Sequence, residues 1–338
     1  MDIKIDFIST GGKTLNPVSN TSPEKNFKKT STRVGRQLLF CFIFLGLCSC
    51  TTSVQTLNGN YSDIPEGKLP SQDAIQQKQL EKLSPAELVR EGNLHLAKDN
   101  LQLAKLHFSL ALKKAPHSPA PYVGMGQILQ RGGKLKEAQQ AYQQAVKEGP
   151  LHRPALLSLA ILSRELGEHE TAVVFLRKLL DRNPGDQESM TELAITYDDM
   201  GEEMLAEPLF SQIVQTQPEA ASAYNNLGFN FLLQGRYSDA ITALGTALGQ
   251  DPGDRQILNN LATAYALHGD EDKALQLFEE AVGKPAAFNN LGYLYMTQGH
   301  WDRAEEAFLQ AMKLNPRFYP RAQENLDQLA RLRSRSEP

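Results

Sequence analysis

The chain of 338 residues is 41% hydrophobic and 7% aromatic, a composition typical of a folded, helix-rich protein rather than a disordered one. Its net charge of −4 is uneven, because residues 1–49 hold seven Lys/Arg and three acidic residues, which leaves 28 basic and 36 acidic residues in 50–338. Phosphate contacts require clustered Lys and Arg, so this acidic part is a poor general binder of nucleic acid. All three cysteines lie within residues 41–50, which excludes a disulfide framework, a cysteine-ligated metal and a cysteine nucleophile from the remainder.

The first predicted element is a signal peptide over residues 1–49. Two arginines precede an apolar stretch of eleven residues, 38–48, which is too short to span a bilayer but typical of a secretory signal. The following letters LCSC, residues 47–50, resemble the lipobox of bacterial lipoproteins, with Cys50 as the lipidated residue. The resemblance implies a cleaved, acyl-anchored protein of the cell envelope, and Thr51 implies the outer membrane, facing the periplasm. An uncleaved signal anchor and an unlipidated secreted protein remain alternatives.

Residues 50–84 are predicted to form a flexible tether, because they are rich in Ser, Thr, Asn, Gly, Pro and Gln and lack periodicity. The tether ends at a helix start. Ser84, Pro85 and Glu87 occupy the N-cap, N1 and N3 positions of a capping box.

A period of 34 residues fills the chain after Ser84, with one step of 30 residues near its end. Each unit has an alanine, a Gly or Ala twelve residues before it and a large apolar residue four residues after it. Proline lies twelve residues after the alanine in every unit except the sixth. The alanines are Ala104, Ala138, Ala172, Ala206, Ala240, Ala274 and Ala304.

This spacing predicts two packed helices in each unit. The small residues allow the two helices to approach closely, and the large residue fills the space beside them. Glycine at position 15 of units two to seven predicts a left-handed cap at the end of the first helix, whereas the first unit has Asp99 there. The proline predicts the end of the second helix.

The pattern resembles the tetratricopeptide repeat, in the form found in bacterial lipoproteins. The resemblance implies an all-α, right-handed α-solenoid of about seven tandem helix–turn–helix repeats. The units are 85–118, 119–152, 153–186, 187–220, 221–254, 255–284 and 285–318. Residues 319–338 are expected to form a capping helix and tail, with Leu326, Leu329 and Leu332 covering the last repeat. The sixth unit is four residues short, so we expect irregular stacking between units six and seven.

Candidate catalytic residues are scarce in this sequence. The seven histidines are scattered, no glycine-rich phosphate loop is present, and the paired carboxylates are more typical of solvated helix faces. A transferase or hydrolase would need a further domain, and 51–84 and 319–338 are too short to form one. We therefore expect no enzyme activity, no metal, no cofactor and no small-molecule substrate.

Three units share a pair of asparagines at positions 5 and 6 of the first helix, followed by a leucine. In the resembled family these positions, with position 9, tend to face a concave groove. Since an amide side chain both donates and accepts, a row of such residues would suit the backbone of an extended peptide. Asparagines that only tie one helix to the next are the alternative. The predicted peptide-binding residues are Asn225, Asn226, Phe229, Asn259, Asn260, Asn289, Asn290 and Tyr293.

These features together predict a membrane-anchored scaffold that binds a protein or peptide segment in its groove and supports assembly of an envelope complex. The resemblance extends to lipoproteins of Flp (tight-adherence) and type IV pilus systems, which suggests a pilus or secretion apparatus as that complex. A targeting or regulatory adaptor for a cell-envelope enzyme, such as one that acts on peptidoglycan, is the alternative.

Overall fold

A computed structural model describes residues 80, 82–315 and 319–336. The predicted signal peptide with Cys50, and all but the end of the tether, lie outside the described residues. Within these residues the chain forms fifteen α-helices and no strand, which confirms the all-α prediction. They are α1 (Pro85–Ala97), α2 (Leu101–Lys114), α3 (Pro119–Arg131), α4 (Leu135–Glu148), α5 (Arg153–Glu165), α6 (His169–Arg182), α7 (Gln187–Met200), α8 (Glu203–Thr216), α9 (Ala221–Leu233), α10 (Tyr237–Gln250), α11 (Arg255–His268), α12 (Glu271–Val282), α13 (Lys284–Thr297), α14 (Trp301–Leu314) and α15 (Tyr319–Ser336).

Consecutive helices pack in pairs, namely α1 with α2, α3 with α4, α5 with α6, α9 with α10, α11 with α12 and α13 with α14. The odd-numbered helices from α1 to α13 are here called A helices, and the even-numbered helices from α2 to α14 are called B helices. The described residues divide into two compact units, with the boundary inside α7 between Thr196 and Tyr197. They are called the N-terminal unit and the C-terminal unit. No helix in the described part of the chain is both long enough and apolar enough to cross a membrane.

In the N-terminal unit, glycines bring the paired helices into close contact. A Cβ built on Gly92 of α1 would lie 2.6 Å from the ring of Phe108 on α2, and one on Gly126 of α3 would lie 2.4 Å from the ring of Tyr142 on α4. Both rings are almost completely buried. The predicted helix start is confirmed, because the Ser84 side chain accepts from the backbone of Glu87, whose carboxylate accepts from the Ser84 backbone at 2.7 Å.

The C-terminal unit repeats this packing and ends in the predicted capping helix. A Cβ on Gly228 of α9 would lie 2.6 Å from Leu244 of α10, and one on Gly292 of α13 would lie 2.8 Å from Phe308 of α14. On α15, Leu329 is buried in the hydrophobic core of this unit, and Leu326 and Leu332 pack against it.

The A helices of units two to seven end as the glycine pattern predicts, since all six position-15 glycines have positive φ, from 71° to 100°. The first unit adopts the same turn without glycine. Asp99 has a φ of 59°, a strained value for a residue with a Cβ, and its carboxylate accepts from Arg131 at 3.1 Å.

The short sixth unit has its own connection. Its B helix, α12, has 12 residues where the other B helices have 14. Gly283, with a φ of 83°, is both the C-cap of α12 and the N-cap of α13. The loop that separates the other pairs is therefore reduced to a single glycine.

Candidate peptide-binding site

The three asparagine pairs lie on α9, α11 and α13, the consecutive A helices of the C-terminal unit. The first asparagine of each pair is buried, with 7% of Asn225, 7% of Asn259 and 5% of Asn289 exposed. Of the second asparagines, Asn260 is fully buried, whereas Asn226 and Asn290 are half-buried. The predicted residues thus form a row that is mostly closed to solvent.

The asparagines bond to one another across consecutive repeats. Asn260 Nδ2 donates to Asn225 Oδ1 at 2.9 Å, and Asn290 Nδ2 donates to Asn259 Oδ1 at 3.1 Å. In both bonds the second asparagine of one repeat holds the first asparagine of the preceding repeat. We call this row of amide–amide bonds the asparagine ladder.

The ladder continues into the capping helix. The repeat pattern predicted this helix but not the ladder bond that it makes. Asn325 Nδ2 on α15 donates to Asn289 Oδ1 at 2.8 Å. The signal in the sequence is the dipeptide Asn325-Leu326, which matches the Asn-Leu step in the three pairs. Asn325 lies 35 residues after Asn290, one more than the repeat period, so the 34-residue period does not identify it as a ladder residue.

The two asparagines of a pair have different roles. In units six and seven the second asparagine ties its helix to the preceding A helix, as the structural alternative requires. The first asparagine only accepts in the ladder, and among the described residues the Nδ2 groups of Asn225, Asn259 and Asn289 have no acceptor. Each of these three side chains keeps a small exposed surface, so the row can offer amide donors to a bound backbone.

The two predicted aromatic residues differ in accessibility. Tyr293 is only 7% exposed and belongs to the hydrophobic core, where it packs the unit together. Phe229 is half-buried and packs against the same core from its edge. Between them Thr263 is fully buried, and its hydroxyl donates to the Asn259 backbone carbonyl at 2.8 Å. Phe229 therefore supplies the accessible aromatic surface of the row.

A second buried network, which the sequence pattern did not indicate, joins the start of the C-terminal unit. Asn230 is fully buried, and its Nδ2 donates to Asp198 Oδ1 at 2.6 Å and to the Glu203 carbonyl at 3.0 Å. Gln234 donates to Asn230 Oδ1 at 2.7 Å and to Glu207 at 3.0 Å. Three of these four bonds join neighbouring helices and the fourth lies within α9 and its C-cap, so the network is structural.

The titratable groups with shifted pKa values also have structural causes. Hydrogen bonds from Arg153 lower the pKa of Asp186 to about 2, and burial raises the pKa of Glu192 despite its ion pair with Arg164. A hydrogen bond from Arg303 lowers the pKa of Glu271. No group of three or more His, Cys, Asp or Glu in the described residues is arranged to hold a metal ion.

Family models match most of the helical region. The model described as the middle TPR-like domain of cilia and flagella-associated protein 70 matches residues 97–217, and two tetratricopeptide repeat models match 230–290 and 285–318. The chain is a tetratricopeptide repeat protein.

Solved tetratricopeptide repeat structures share its fold. A tetratricopeptide repeat protein from Parabacteroides merdae superposes with a TM-score of 0.57 and 23% identity, covering 73% of this chain and 98% of that one. Pseudomonas aeruginosa PilF superposes with a TM-score of 0.51 and 15% identity, covering 60% and 90%. At these identities the likeness concerns the fold.

Curated relatives match a shorter stretch. The photosystem I assembly protein Ycf3 of Rippkaea orientalis is 33% identical over 110 residues, which is 26% of this chain and 64% of the relative. Ycf3 of Synechococcus sp. WH7803 is 28% identical over 106 residues, which is 25% and 61%. This tetratricopeptide repeat protein therefore spans less than two thirds of the length of the relatives that it matches.

Proposed function

We propose that this tetratricopeptide repeat protein is a non-enzymatic scaffold that binds an extended segment of a partner protein. The segment lies across α9, α11 and α13, on the face that carries the first asparagine of each pair. One observation carries the proposal: three side-chain amides recur at the same helix position, each with an acceptor used in the ladder and a donor left over. Donors spaced one repeat apart suit the carbonyls of an extended backbone, whatever its sequence.

The curated relatives support a role in assembly. Ycf3 is named for the assembly of photosystem I, and it is similar to about a quarter of this chain. We propose that this chain likewise holds a component of a larger complex during assembly. Its complex belongs to the cell envelope, and a pilus or secretion apparatus is the candidate that the lipobox-like segment favours.

An acyl anchor on Cys50 would keep the scaffold at the membrane, on the periplasmic side of the outer membrane. The letters LCSC, the preceding apolar stretch and its two arginines support this proposal. Cys50→Ala is expected to move the protein from the membrane fraction to the soluble fraction of the envelope, with Cys48→Ala as the matched control. Unchanged fractionation of Cys50→Ala would exclude the lipid anchor.

The groove is tested with a substitution that removes the free amide donor. Asn259→Asp keeps an oxygen for the bond from Asn290 but replaces the donor with a carboxylate that repels the carbonyls of a bound backbone. The buried charge lowers thermal stability, so partner binding is compared below the unfolding temperature of the variant, where it should still be weaker. A photo-crosslinking residue in place of Phe229 should capture the partner in cells, and Asn259→Asp should reduce that product. The same residue in place of the exposed Thr242 of α10 is the control. Equal capture from both positions would contradict a groove.

The alternative function, a targeting adaptor for an envelope enzyme, uses the same groove and differs in the captured protein. Crosslinking from Phe229 to a pilus or secretion subunit supports assembly, whereas crosslinking to a peptidoglycan-acting enzyme supports the adaptor. The similarity to an assembly protein favours the first outcome.

A further inference from the structure

The face proposed to bind a partner carries no charge. It comprises positions 2, 5, 6, 9, 12 and 13 of the A helices in units five to seven, here called the groove face. Its eighteen residues are six asparagines and otherwise Ser, Gln, Thr, Ala, Leu, Met, Phe and Tyr. All eighteen belong to α9, α11 and α13, and nine of them are buried. The nine accessible ones, which are also uncharged, are the exposed Ser222 and Gln256 and the half-buried Asn226, Phe229, Ala266, Leu267, Ala286, Asn290 and Thr297.

The absence of charge is specific to these three repeats. The same positions of units one to four hold eight charged residues among twenty-four, including the half-buried ion pair of Arg164 with Glu192. Beyond unit seven, charge returns on α15, where Arg321 and Glu324 are exposed close to Asn325. The same helix positions thus often carry charge elsewhere in the chain, and they carry none in the three repeats with the asparagine ladder.

We infer that the groove face selects a segment without charged side chains. A Lys or Glu side chain pressed against it would lose hydration and meet no opposite charge, which is costly in a partly buried site. The backbone carbonyls of a bound segment accept from the three free amide donors. An uncharged segment therefore binds without the hydration cost that a charged side chain would add. The groove face therefore excludes charged segments but does not recognise one particular sequence.

The length of the selected segment follows from the helix spacing. Neighbouring packed helices lie about 9 Å apart, so the three A helices span about 20 Å. An extended chain advances about 3.3 Å for each residue, which gives an uncharged stretch of about six residues. Because Phe229 offers the accessible aromatic surface, an apolar side chain is expected near the α9 end of that stretch.

This inference rests on the proposed function and is tested with a random decapeptide display library selected on the whole purified chain. Bound peptides should be depleted about tenfold in Asp, Glu, Lys and Arg over about six consecutive positions, relative to the unselected library. Their affinity should be the same at low and high salt, because no ion pair forms.

A charge placed on the face provides the sharper test. Gln256→Glu should admit peptides with Lys or Arg, and Gln256→Lys should admit peptides with Asp or Glu. Gln276→Glu, an exposed position on α12 away from the face, is the matched control and should leave the selected peptides unchanged.

The outcomes separate the two proposals. Charged peptides enriched on the unaltered protein, and lost with Asn259→Asp, would overturn the charge-free selection while leaving the groove in place. Selection of no peptide, or of peptides indifferent to Asn259→Asp and to both Gln256 variants, would overturn the groove and this inference with it.

Discussion

The Nδ2 of Asn260 on α11 donates to the Oδ1 of Asn225 on α9 over 2.9 Å. Asn260 is fully buried and Asn225 nearly so, which makes this a bond between two side chains that water can scarcely reach. A buried amide that loses its partner has given up its hydrogen bonds to water without gaining one in the protein, which destabilises the folded state. The bond therefore fixes how unit six stacks on unit five.

Asn260→Ala should lower the free energy of unfolding of the C-terminal unit by about 1–3 kcal/mol, because Asn225 Oδ1 is left buried without its donor. A double-mutant cycle with Asn225→Ala, followed by urea unfolding, should give a coupling energy of about 1 kcal/mol. Asn226→Ala is the control, since Asn226 is half-buried and has no hydrogen-bond partner among the described residues. Additive effects of the two substitutions would contradict the ladder as a stabilising feature.

Two glycines of the fifth unit should respond in opposite directions to the same change. Gly228→Ala puts a Cβ 2.6 Å from Leu244 Cγ and should destabilise the unit by about 1–3 kcal/mol. Gly245→Ala, in the interior of α10, puts a Cβ where nothing lies within 4 Å and should stabilise it by about 0.5–1 kcal/mol through helix propensity. Thermal unfolding measures both. Equal shifts would mean that close packing does not explain Gly228.

Much of the fold was predictable because packing, caps and helix ends depend on local residue types. The recurring alanine of each unit, and the Gly or Ala twelve residues before it, predict where the two helices touch. The close approach of Gly228 to Leu244 confirms this prediction. Asp99 could not be predicted in the same way. It adopts the left-handed turn without the glycine that marks this position in the other units, although aspartate enters this region more readily than most residues with a Cβ.

The candidate site was less predictable than the fold. Tyr293 is predicted to line the groove, and the structure places its side chain in the hydrophobic core with 7% of the residue exposed, a burial that position numbers alone do not specify. The ladder partner Asn325 was missed because the capping helix leaves the 34-residue register. Which amide of each pair is bonded, and which keeps a free donor, depends on side-chain geometry that no spacing in the sequence specifies.

The ion pair of Asp186 with Arg153 should make the N-terminal unit sensitive to acid. Arg153 donates to both carboxylate oxygens at 2.7 Å, and Ser189 Oγ donates at 2.9 Å. Since these bonds lower the pKa of Asp186 from 3.8 to about 2, the charged carboxylate stabilises the folded state. Its contribution, about 2 kcal/mol, is present above about pH 4 and is lost as the pH falls towards 2.

Asp186→Asn tests this dependence by urea unfolding at neutral and acidic pH. The variant should be less stable than the unaltered protein at pH 7, and the difference should shrink as the pH falls through the window between the two pKa values. Glu188→Gln is the matched control, because Glu188 is exposed and forms an ion pair with the same arginine. It should change the free energy of unfolding only slightly at either pH. A difference that is constant with pH would show that Asp186 acts through packing and not through charge.

The hydroxyl of Tyr295 links units six and seven across the shortened connection. It donates to Glu271 Oε2 at 2.7 Å and accepts from Arg303 at 2.9 Å, and the Arg303 guanidinium lies 4.2 Å from the centre of its ring. Tyr295→Phe keeps the ring but removes both bonds, so it should cost about 1–2 kcal/mol of unfolding free energy. It should also raise the pKa of Glu271 towards the usual value for a glutamate, because that carboxylate loses one of its two donors.

Carboxyl NMR titration of Glu271, together with thermal unfolding, checks both effects of Tyr295→Phe. Tyr237→Phe is the control, because Tyr237 is half-buried and its hydroxyl has no hydrogen-bond partner among the described residues. With Arg303 still paired to Glu271, the pKa should rise only part of the way, and Arg303→Met should raise it further. If Tyr295→Phe leaves the Glu271 titration unchanged, Arg303 alone lowers that pKa and the tyrosine contributes through its ring.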